Sequence, residues 1–352
     1  KSLSSGNLIQ KLTVLSSSLR TAIKEPKEKW AANHENGKTI FSTLFEKLLL
    51  LCAIKSATLD ISGAAIEMEG GKPGWNDALN GLPALFGASL SEGCELLRLL
   101  DKLLEWRPLY PKSISIHEEI ANLLESVSSL SSVSNIQSYP TYETRYNGWI
   151  ERNQIRDNYR ERTKNGFSGR KKSLSSGNLI QKLTVLSSSL RTAIKEALTE
   201  NNGMCPTYYF YEAKKMMKVE GGMIPLILVK KKLPLFLEAP SHFLLTKQSN
   251  RTKMNMVSKI RKSGLYDSKL HMYRLNEPLE KERFEIGRIK AFPNGWLENA
   301  SIWLHMEYKY LLAMLKSNLY EQFFKDFNKM VIPFLSTESY GRSTMENSSF
   351  IV

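Results

Sequence analysis

The sequence predicts a mainly α-helical protein with one inserted irregular and β-structured excursion. Apolar residues recur at three- and four-residue spacing in several long segments, the pattern of helices that bury one face. Loops rich in glycine and proline separate these segments. The excursion covers about residues 204 to 262, where the runs Tyr208 to Tyr211 and Ile224 to Val229 are extended in character. Pro234 and Pro240 exclude a long helix there.

Two strongly apolar segments flank the first glycine-rich loop. Leu44 to Ile54 is apolar on nearly every side, which is typical of a helix buried between neighbours. Ser89 or Ser91 is expected to cap a second helix, rich in leucine, that ends before Pro108.

Short sequence patterns predict the helices and loops that follow Pro108. Ser115 to Glu118 has capping-box spacing and predicts the start of a helix, with His117 in its first turn and at the surface. The serine-rich stretch Ser128 to Thr144 and the polar stretch Ser249 to Lys262 are predicted as surface loops. A long helix is expected from about Ile302.

Composition limits the classes of protein to consider. The chain has 352 residues, of which 42% are apolar, enough for a substantial core. Its formal net charge of +14 is spread along the chain, which favours a basic solvated surface over a nucleic-acid groove. No apolar run approaches the roughly 20 residues that span a bilayer. Three distant cysteines, with no metal-ligand spacing, predict a reducing, cytoplasmic setting. We expect neither nucleic acid nor a membrane as partner, and no metal.

An unchanged duplication sets the domain boundaries. Lys1 to Glu25 recurs as Lys172 to Glu196 without a single difference, although natural repeats drift. The second copy continues as one helix to a stop at Asn201-Asn202-Gly203, whereas Pro26 interrupts the first copy. We therefore predict a duplicated or artefactual helix at residues 1–35, without function of its own, and one main domain at residues 36–352.

A basic stretch offers a non-enzymatic alternative. Arginines and tyrosines alternate between Arg145 and Lys164, and such residues bind RNA by charge and stacking. Glu151, Asp157 and Glu161 interrupt the positive charge, so a surface helix is favoured over an RNA-binding module at 145–172.

The loop at residues 67–83 carries the strongest chemical signal. It contains four glycines, two prolines, Trp75 and three carboxylates between two apolar segments. Asp77 is flanked by small or apolar residues, a setting that raises a carboxyl pKa and suits a general acid. The alternative is a connecting loop in which Asp77 caps a helix. Further polar loops follow at 292–299, which contains Trp296, and at 339–349. Aromatic rings with planar polar groups are what a sugar ring requires.

Three motifs resemble one enzyme family. They are Gly-Lys-Pro-Gly-Trp-Asn-Asp-Ala-Leu-Asn-Gly-Leu-Pro (71–83), Gly-Trp-Leu-Glu-Asn (295–299) with Ile-Trp-Leu-His-Met-Glu-Tyr-Lys-Tyr (302–310), and Tyr-Gly-Arg-Ser (340–343) with Glu-Asn-Ser-Ser-Phe-Ile-Val (346–352). In this order they resemble the inverting glycoside phosphorylases of the cellobiose phosphorylase and 1,2-β-oligoglucan phosphorylase family. The resemblance covers residues 42–352.

The resemblance implies a fold, a reaction and a set of roles. The fold would be a partial (α/α)6 barrel, and the reaction cytoplasmic phosphorolysis of a β-linked gluco-oligosaccharide to α-glucose 1-phosphate, with inorganic phosphate as co-substrate and no cofactor. Asp77 matches the family's general acid. The implied substrate-binding residues are Glu69, Lys72, Trp75, Asn76 and Trp296, and the implied phosphate-binding residues are Arg288, Asn299, Arg342, Ser348 and Ser349.

The resemblance has one qualification and leaves one enzymatic alternative open. Family members are longer and have domains before the barrel, so we expect an incomplete fragment, with a homodimer as a further expectation. An inverting hydrolase is the enzymatic alternative, since that reaction needs a second carboxylate as base, here Glu67 or Glu69.

Overall fold

A computed structural model describes residues 30–33, 39–71, 76–136, 141–219, 222–331, 335–340 and 350–351. The protein is mainly helical, which confirms the predicted class. The α-helices are, in chain order, α1 (Leu44–Ala57), α2 (Leu90–Glu105), α3 (Glu118–Ile136), α4 (Tyr142–Thr163), α5 (Ser176–Glu200), α6 (Glu238–Leu244), α7 (Asn250–Lys262), α8 (Leu304–Lys316), α9 (Tyr320–Met330) and α10 (Thr337–Tyr340). Among the described residues, no helix is long and apolar enough to cross a membrane.

The strands form small antiparallel sheets. They are β1 (Trp30–Asn33), β2 (Thr39–Ser42), β3 (Ile66–Glu67), β4 (Ala88–Ser89), β5 (Ser113–His117), β6 (Lys171–Ser175), β7 (Tyr208–Val219), β8 (Gly222–Lys232), β9 (Tyr266–Asp267), β10 (Met272–Tyr273), β11 (Ile302–Trp303) and β12 (Phe350–Ile351). The largest sheet has the order β3-β4-β7-β8, and the pairs β1-β2, β5-β6, β9-β10 and β11-β12 stand alone.

The chain divides into two compact units, each built from two stretches of sequence. The first unit comprises residues 1–63 and 99–191, and the second comprises residues 64–98 and 192–352. The loops that carry the first two motifs belong to the second unit.

Helix α1 begins the core of the first unit. The Thr43 side chain accepts a hydrogen bond from the backbone N–H of Glu46, and the Glu46 carboxylate accepts one from the N–H of Thr43, which completes a capping box. Leu49 and Cys52 are fully buried, and α1 packs against α3 and α4. The predicted buried helix is confirmed.

Two predictions for the first unit are wrong. Ser115 does not open a helix, because Ser113–His117 is a strand that pairs with Lys171–Ser175, and helix α3 begins only at Glu118. His117 is not at the surface but is 1% exposed, with its Nδ1 atom 2.9 Å from Oε1 of Glu46. The alternation of Ile114 and Ile116 with serines is a strand pattern that coincides with capping-box spacing.

Two predicted loops are largely helical where the structure describes them. The serine-rich stretch continues α3 as far as Ile136, where several seryl hydroxyls donate to carbonyls of the preceding turn. Ser249 to Lys262 is not a loop, because Ser249 caps α7 through the N–H of Thr252 and the helix buries Met256, Val257 and Ile260. Those three apolar positions are enough to hold a helix that is otherwise polar and basic.

Other predictions are confirmed. The excursion contains the β7–β8 hairpin, and the basic segment forms helix α4, whose one buried residue is Trp149. In the second copy of the duplication, α5 runs to Glu200, and Gly203, with φ of +75°, closes its end by donating to the carbonyl of Leu198. The predicted artefactual segment lies mostly outside the described residues.

A cluster of apolar side chains in the second unit supports the first motif loop. Ala78, Leu79 and Leu82 from that loop are fully buried. They pack with residues of the excursion and of the loop before α8: Tyr208, Phe210, Leu233, Phe236, Leu279, Ile286 and Ile289. The loop that carries Asp77 is therefore anchored from beneath by apolar contacts.

Candidate functional site

Asp77 begins a short 3₁₀ helix, Asp77–Leu79, on top of that apolar cluster. Its neighbours Ala78 and Leu79 point into the core, whereas its own side chain is 62% exposed. The expectation of an apolar setting for Asp77 is therefore wrong. The capping alternative is also wrong in detail, because Asn76 occupies the N-cap position and its side chain makes no capping bond.

Arg288 is the charged partner of Asp77. Its Nη2 atom lies 2.8 Å from Oδ2 of Asp77, and both side chains are more than half exposed. Arg288 begins a second 3₁₀ helix, Arg288–Ala291, and its backbone N–H donates to Oδ1 of Asn80 at 3.0 Å. Two loops far apart in the sequence thus bring together a predicted acid and a predicted phosphate ligand.

Glycines allow this close approach. A Cβ atom at Gly81 would lie 1.9 Å from the carbonyl oxygen of Glu285, and one at Gly287 would lie 2.5 Å from Oδ1 of Asn80. Gly287 also has φ of +130°, a backbone conformation that favours glycine. The backbone N–H of Gly81 donates to the carbonyl of Ile286 at 3.1 Å, which ties the two loops together.

Glu298 is a third charged member of the site. Partial burial, together with the neighbouring carboxylate of Asp77 and a hydrogen bond with it, raises the pKa of Glu298, although Arg288 acts in the opposite direction. The sequence reasoning passed over Glu298, although it lies within the second motif.

The backbone around Glu298 is held in an uncommon conformation. Leu297 and Ala300 have φ of +46° and +55°, a region that residues other than glycine rarely adopt. The Asn276 side chain donates to the carbonyl of Glu298 and accepts from the N–H of Ala300, and the indole of Trp303 donates to the carbonyl of Leu297. Strain maintained by several hydrogen bonds is a common property of functional loops.

A buried polar chain lies below Asp77. The phenol oxygen of Tyr208 accepts a hydrogen bond from the backbone of Asn76 and its hydroxyl donates to Glu238 at 2.6 Å. Burial raises the pKa of Glu238. The Asn76 side chain is 1% exposed, and neither polar atom has a hydrogen-bond partner in the described structure. A buried amide without hydrogen bonds lowers the stability of the folded state, unless a ligand or a water molecule forms hydrogen bonds with it.

Asn299, a predicted phosphate ligand, is buried and has other partners. Its Oδ1 atom accepts from the N–H of Leu279 at 3.2 Å, and its Nδ2 atom donates to the carbonyl of Phe292 at 2.8 Å. These bonds brace the loop, so in this structure the side-chain amide is directed to main-chain groups.

Of the remaining predicted site residues, the structure describes only some. Trp296 is 44% exposed and packs edge-on against Phe292, with ring centroids 5.8 Å apart. Glu69 is half-buried after strand β3. Five predicted site residues lie outside the described residues: Lys72, Trp75, Arg342, Ser348 and Ser349. Strand β12, which follows the last two, pairs Phe350 with Trp303 of the second motif.

The second unit thus offers a carboxyl pair, an exposed guanidinium and a half-exposed indole. A scan against protein-family models and a search of curated proteins found no match to this chain. Within the described ranges, no group of three or more potential metal ligands is close enough to hold an ion. The chemistry of this site therefore has to be argued from its own geometry.

The first unit contains a separate polar cavity of about 420 Å³ between α3 and α4. Its lining carries two glutamates, Glu118 and Glu119, and two arginines, Arg162 and Arg170. Glu118 pairs with Arg170 at 2.7 Å, and Glu119 accepts a hydrogen bond from the N–H of Ser168 at 2.8 Å. This cavity contains none of the predicted site residues, and its balanced charge selects no class of ligand.

Proposed function

We propose that this chain carries the general acid and the phosphate-binding residues of an enzyme that catalyses inverting phosphorolysis of β-linked gluco-oligosaccharides, which yields α-glucose 1-phosphate. The observation that supports it most is the contact between Asp77 and Arg288 at 2.8 Å. A phosphorylase needs a proton donor for the leaving sugar and a cation for phosphate in the same site, and these two side chains provide both groups.

The reaction follows from the charges. An oxygen of hydrogenphosphate attacks the anomeric carbon from the face opposite the glycosidic bond, so the product has inverted configuration. As the bond between the anomeric carbon and the leaving oxygen breaks, that oxygen takes a proton from Asp77. The proton of hydrogenphosphate, released when the ester forms, restores the acid. Phosphate is already anionic, so no second carboxylate is needed to activate it.

Arg288 and Glu298 have complementary parts in this scheme. The planar guanidinium of Arg288 can bind two oxygens of phosphate and hold the nucleophile near the sugar. When it turns to phosphate, it leaves the Asp77 carboxylate. Glu298, whose pKa is raised by partial burial and by the carboxylate of Asp77, lies beside the acid. The exposed face of Trp296 supplies an apolar surface on which a sugar ring can stack.

The partial (α/α)6 barrel and a β-glucan substrate belong to the same proposal. The alternation of helices with the polar loops that carry the motifs supports the fold assignment. An inverting hydrolase would need a second carboxylate as base, roughly 6.5–9.5 Å from the acid. The contact of Asp77 with a guanidinium favours phosphorolysis instead, because a hydrolase has no anionic co-substrate for Arg288 to bind.

Product analysis with purified chain tests the proposal. Cello-oligosaccharides and 1,2-β-gluco-oligosaccharides are incubated with and without inorganic phosphate, and glucose 1-phosphate is measured. We expect phosphate-dependent release that Asp77→Asn lowers by roughly 10²–10⁴-fold, the size of a general-acid contribution. Arg288→Gln should raise the KM for phosphate more than the KM for sugar.

The matched control is Asp157→Asn, since Asp157 is 64% exposed and belongs to the other unit. It should leave the rate unchanged. Sugar release that needs no phosphate would favour the hydrolase instead. Asp77→Asn activity within a few-fold of the unaltered chain, or no turnover of any β-glucoside, would contradict the proposal.

A further inference from the structure

The distal part of the β7–β8 hairpin has no described strand beside it except its own partner. Strand β7 pairs with β4 only at Tyr208 and Tyr209, where it enters the core of the second unit. From Ala213 onward, β7 and β8 pair with each other, from Ala213 opposite Leu228 to Val219 opposite Gly222. The hairpin therefore extends past the rest of its sheet.

This distal part carries exposed aliphatic side chains. Met216 and Met217 on β7 are 42% and 43% exposed, and Met223 and Ile224 on β8 are 55% and 40% exposed. Met217 lies opposite Ile224 in the register. Ile227 and Val229 extend the apolar surface towards the core. Grouped apolar side chains of this kind on a strand pair are a site for association.

The same hairpin is strongly basic. The stretch 208–232 contains six lysines and two glutamates. Lys214 pairs with Glu212 at 3.0 Å and Lys230 with Glu200 at 2.5 Å, so part of this charge is matched within the chain. Lys215 and Lys218, beside the methionines, form no ion pair with any described residue.

We propose that the distal β7–β8 hairpin is a docking surface for an anionic lipid membrane. Its aliphatic side chains enter the boundary between headgroups and acyl chains, and its lysines contact the acidic headgroups. Charge complementarity favours an anionic membrane as the partner, because a basic surface attracts acidic lipids. Transfer of the adjoining aliphatic side chains out of water adds a favourable hydrophobic free energy. Long lysine side chains keep their ammonium groups at the headgroup level while their stems lie along apolar surface.

A nucleic acid is the less fitting partner. Single-stranded nucleic acid binds by stacking bases on aromatic rings, and the aromatic residues of the hairpin, Tyr208 to Tyr211, are buried in the core. The exposed residues at its distal end are methionine, isoleucine and lysine. The expectation of no membrane partner came from the absence of a spanning run, which does not concern a hairpin bound at the membrane surface.

Vesicle sedimentation of the full chain tests this inference, which does not depend on the proposed phosphorolysis. Phosphatidylcholine vesicles with and without phosphatidylserine are compared. We expect sedimentation with the acidic vesicles only, and release at high salt. Lys215→Gln with Lys218→Gln, and separately Met217→Ser with Ile224→Ser, should each weaken binding roughly tenfold or more.

The controls change the same residue types elsewhere. Lys47→Gln with Lys195→Gln removes two exposed lysines, and Phe324→Ser removes a side chain that is 59% exposed on α9. Both should bind as the unaltered chain does. Circular dichroism verifies that each variant is folded. A fluorophore on Met223→Cys should shift to the blue with acidic vesicles, which reports insertion independently of sedimentation.

Three results would overturn the proposal. They are failure to sediment with phosphatidylserine vesicles, sedimentation that the Met217 and Ile224 changes leave intact, and tighter binding to RNA that depends only on the lysines. The last would identify a general polyanion surface.

Discussion

Several hydrogen bonds fix the charge of Glu46, a buried carboxylate in the first turn of α1. Oε1 accepts from the N–H of His117 at 2.8 Å, and Oε2 accepts from the Ser42 hydroxyl at 2.7 Å and from the N–H of Thr43 at 3.1 Å. Burial alone raises a carboxyl pKa, but these bonds and the His117 ring outweigh it and lower the pKa of Glu46 to about 2.

The shift predicts a pH-dependent stability. The pKa of Glu46 in the folded protein lies below the unfolded value of 4.5. The ionised Glu46 carboxylate therefore contributes its full stabilisation to the folded state above pH 4.5, and this stabilisation is lost as the pH falls towards about 2. A shift of this size corresponds to about 3 kcal/mol. We expect Glu46→Gln to lower the unfolding free energy by about that amount at pH 7, measured by urea denaturation.

The difference between Glu46→Gln and the unaltered chain should narrow steadily below pH 4.5. Glu143→Gln is the control, because Glu143 is exposed on α4 and its replacement should change little at any pH. A Glu46→Gln difference that stays constant down to pH 2 would show that the carboxylate charge is not what stabilises this site.

At the candidate site the sequence identified individual residues but not how they pair. Asp77 was chosen because it matches a motif, and Arg288 because it lies in one of the loops that resemble the family; the structure places them in contact. Nothing in a single sequence shows that residues more than 200 positions apart will meet. Glu298 was missed for the same reason, since its raised pKa arises from partial burial and from the carboxylate of Asp77. Asn299 was selected by position in the motif, and its partners are main-chain groups of its own surroundings.

At the scale of elements, the joint between the loop of Asp77 and the loop of Arg288 depends on Gly81. We expect Gly81→Ala to lower stability by about 1–3 kcal/mol, since the added methyl group would overlap the carbonyl of Glu285, a backbone atom that cannot turn aside. Thermal denaturation measures the loss. Because that overlap would force the two loops apart, the same variant should also lower phosphate-dependent turnover.

Gly177→Ala is the matched control. Gly177 lies in the first turn of α5 with nothing within 4 Å of the added Cβ atom, so the change should be neutral or slightly stabilising. Equal destabilisation by the two alanines would mean that the loop contact at Gly81 is not a tight one.

Elements with strong periodicity were predicted, and those with mixed signals were not. Helix α1 was predicted because its apolar residues leave almost no polar face. Helix α7 was missed because its composition is basic and polar, although Met256, Val257 and Ile260 have helical spacing behind the Ser249 cap. Strand β5 was missed because its partner, Lys171–Ser175, is remote, and pairing between distant strands decides whether a short alternating run becomes a strand.

At the scale of the molecule, the sequence could not predict how the chain divides. Each unit joins two stretches that are far apart, and helices α2 and α5 each contribute residues to both units. The local spacing of apolar residues does not show which stretches of the chain will pack into the same unit. The exact duplication, by contrast, was visible in the sequence, and it predicts that only the second copy contributes to the folded core.

The two copies of the duplicated segment provide a test in which the local sequence is identical. Leu183 in the second copy is fully buried in α5, and Leu12 is its counterpart in the first copy. We expect Leu183→Ala to lower the unfolding free energy by about 2–5 kcal/mol, the usual cost of a cavity at a buried leucine. Leu12→Ala should change it by less than about 0.5 kcal/mol, because the second copy already supplies this helix to the fold. Urea denaturation of both variants, and of the pair combined, distinguishes the cases. Since helix propensity and neighbouring residues are the same at both positions, any difference must come from tertiary packing. Similar losses at Leu12 and Leu183 would mean that both copies build core, and residues 1–35 would then be part of the fold.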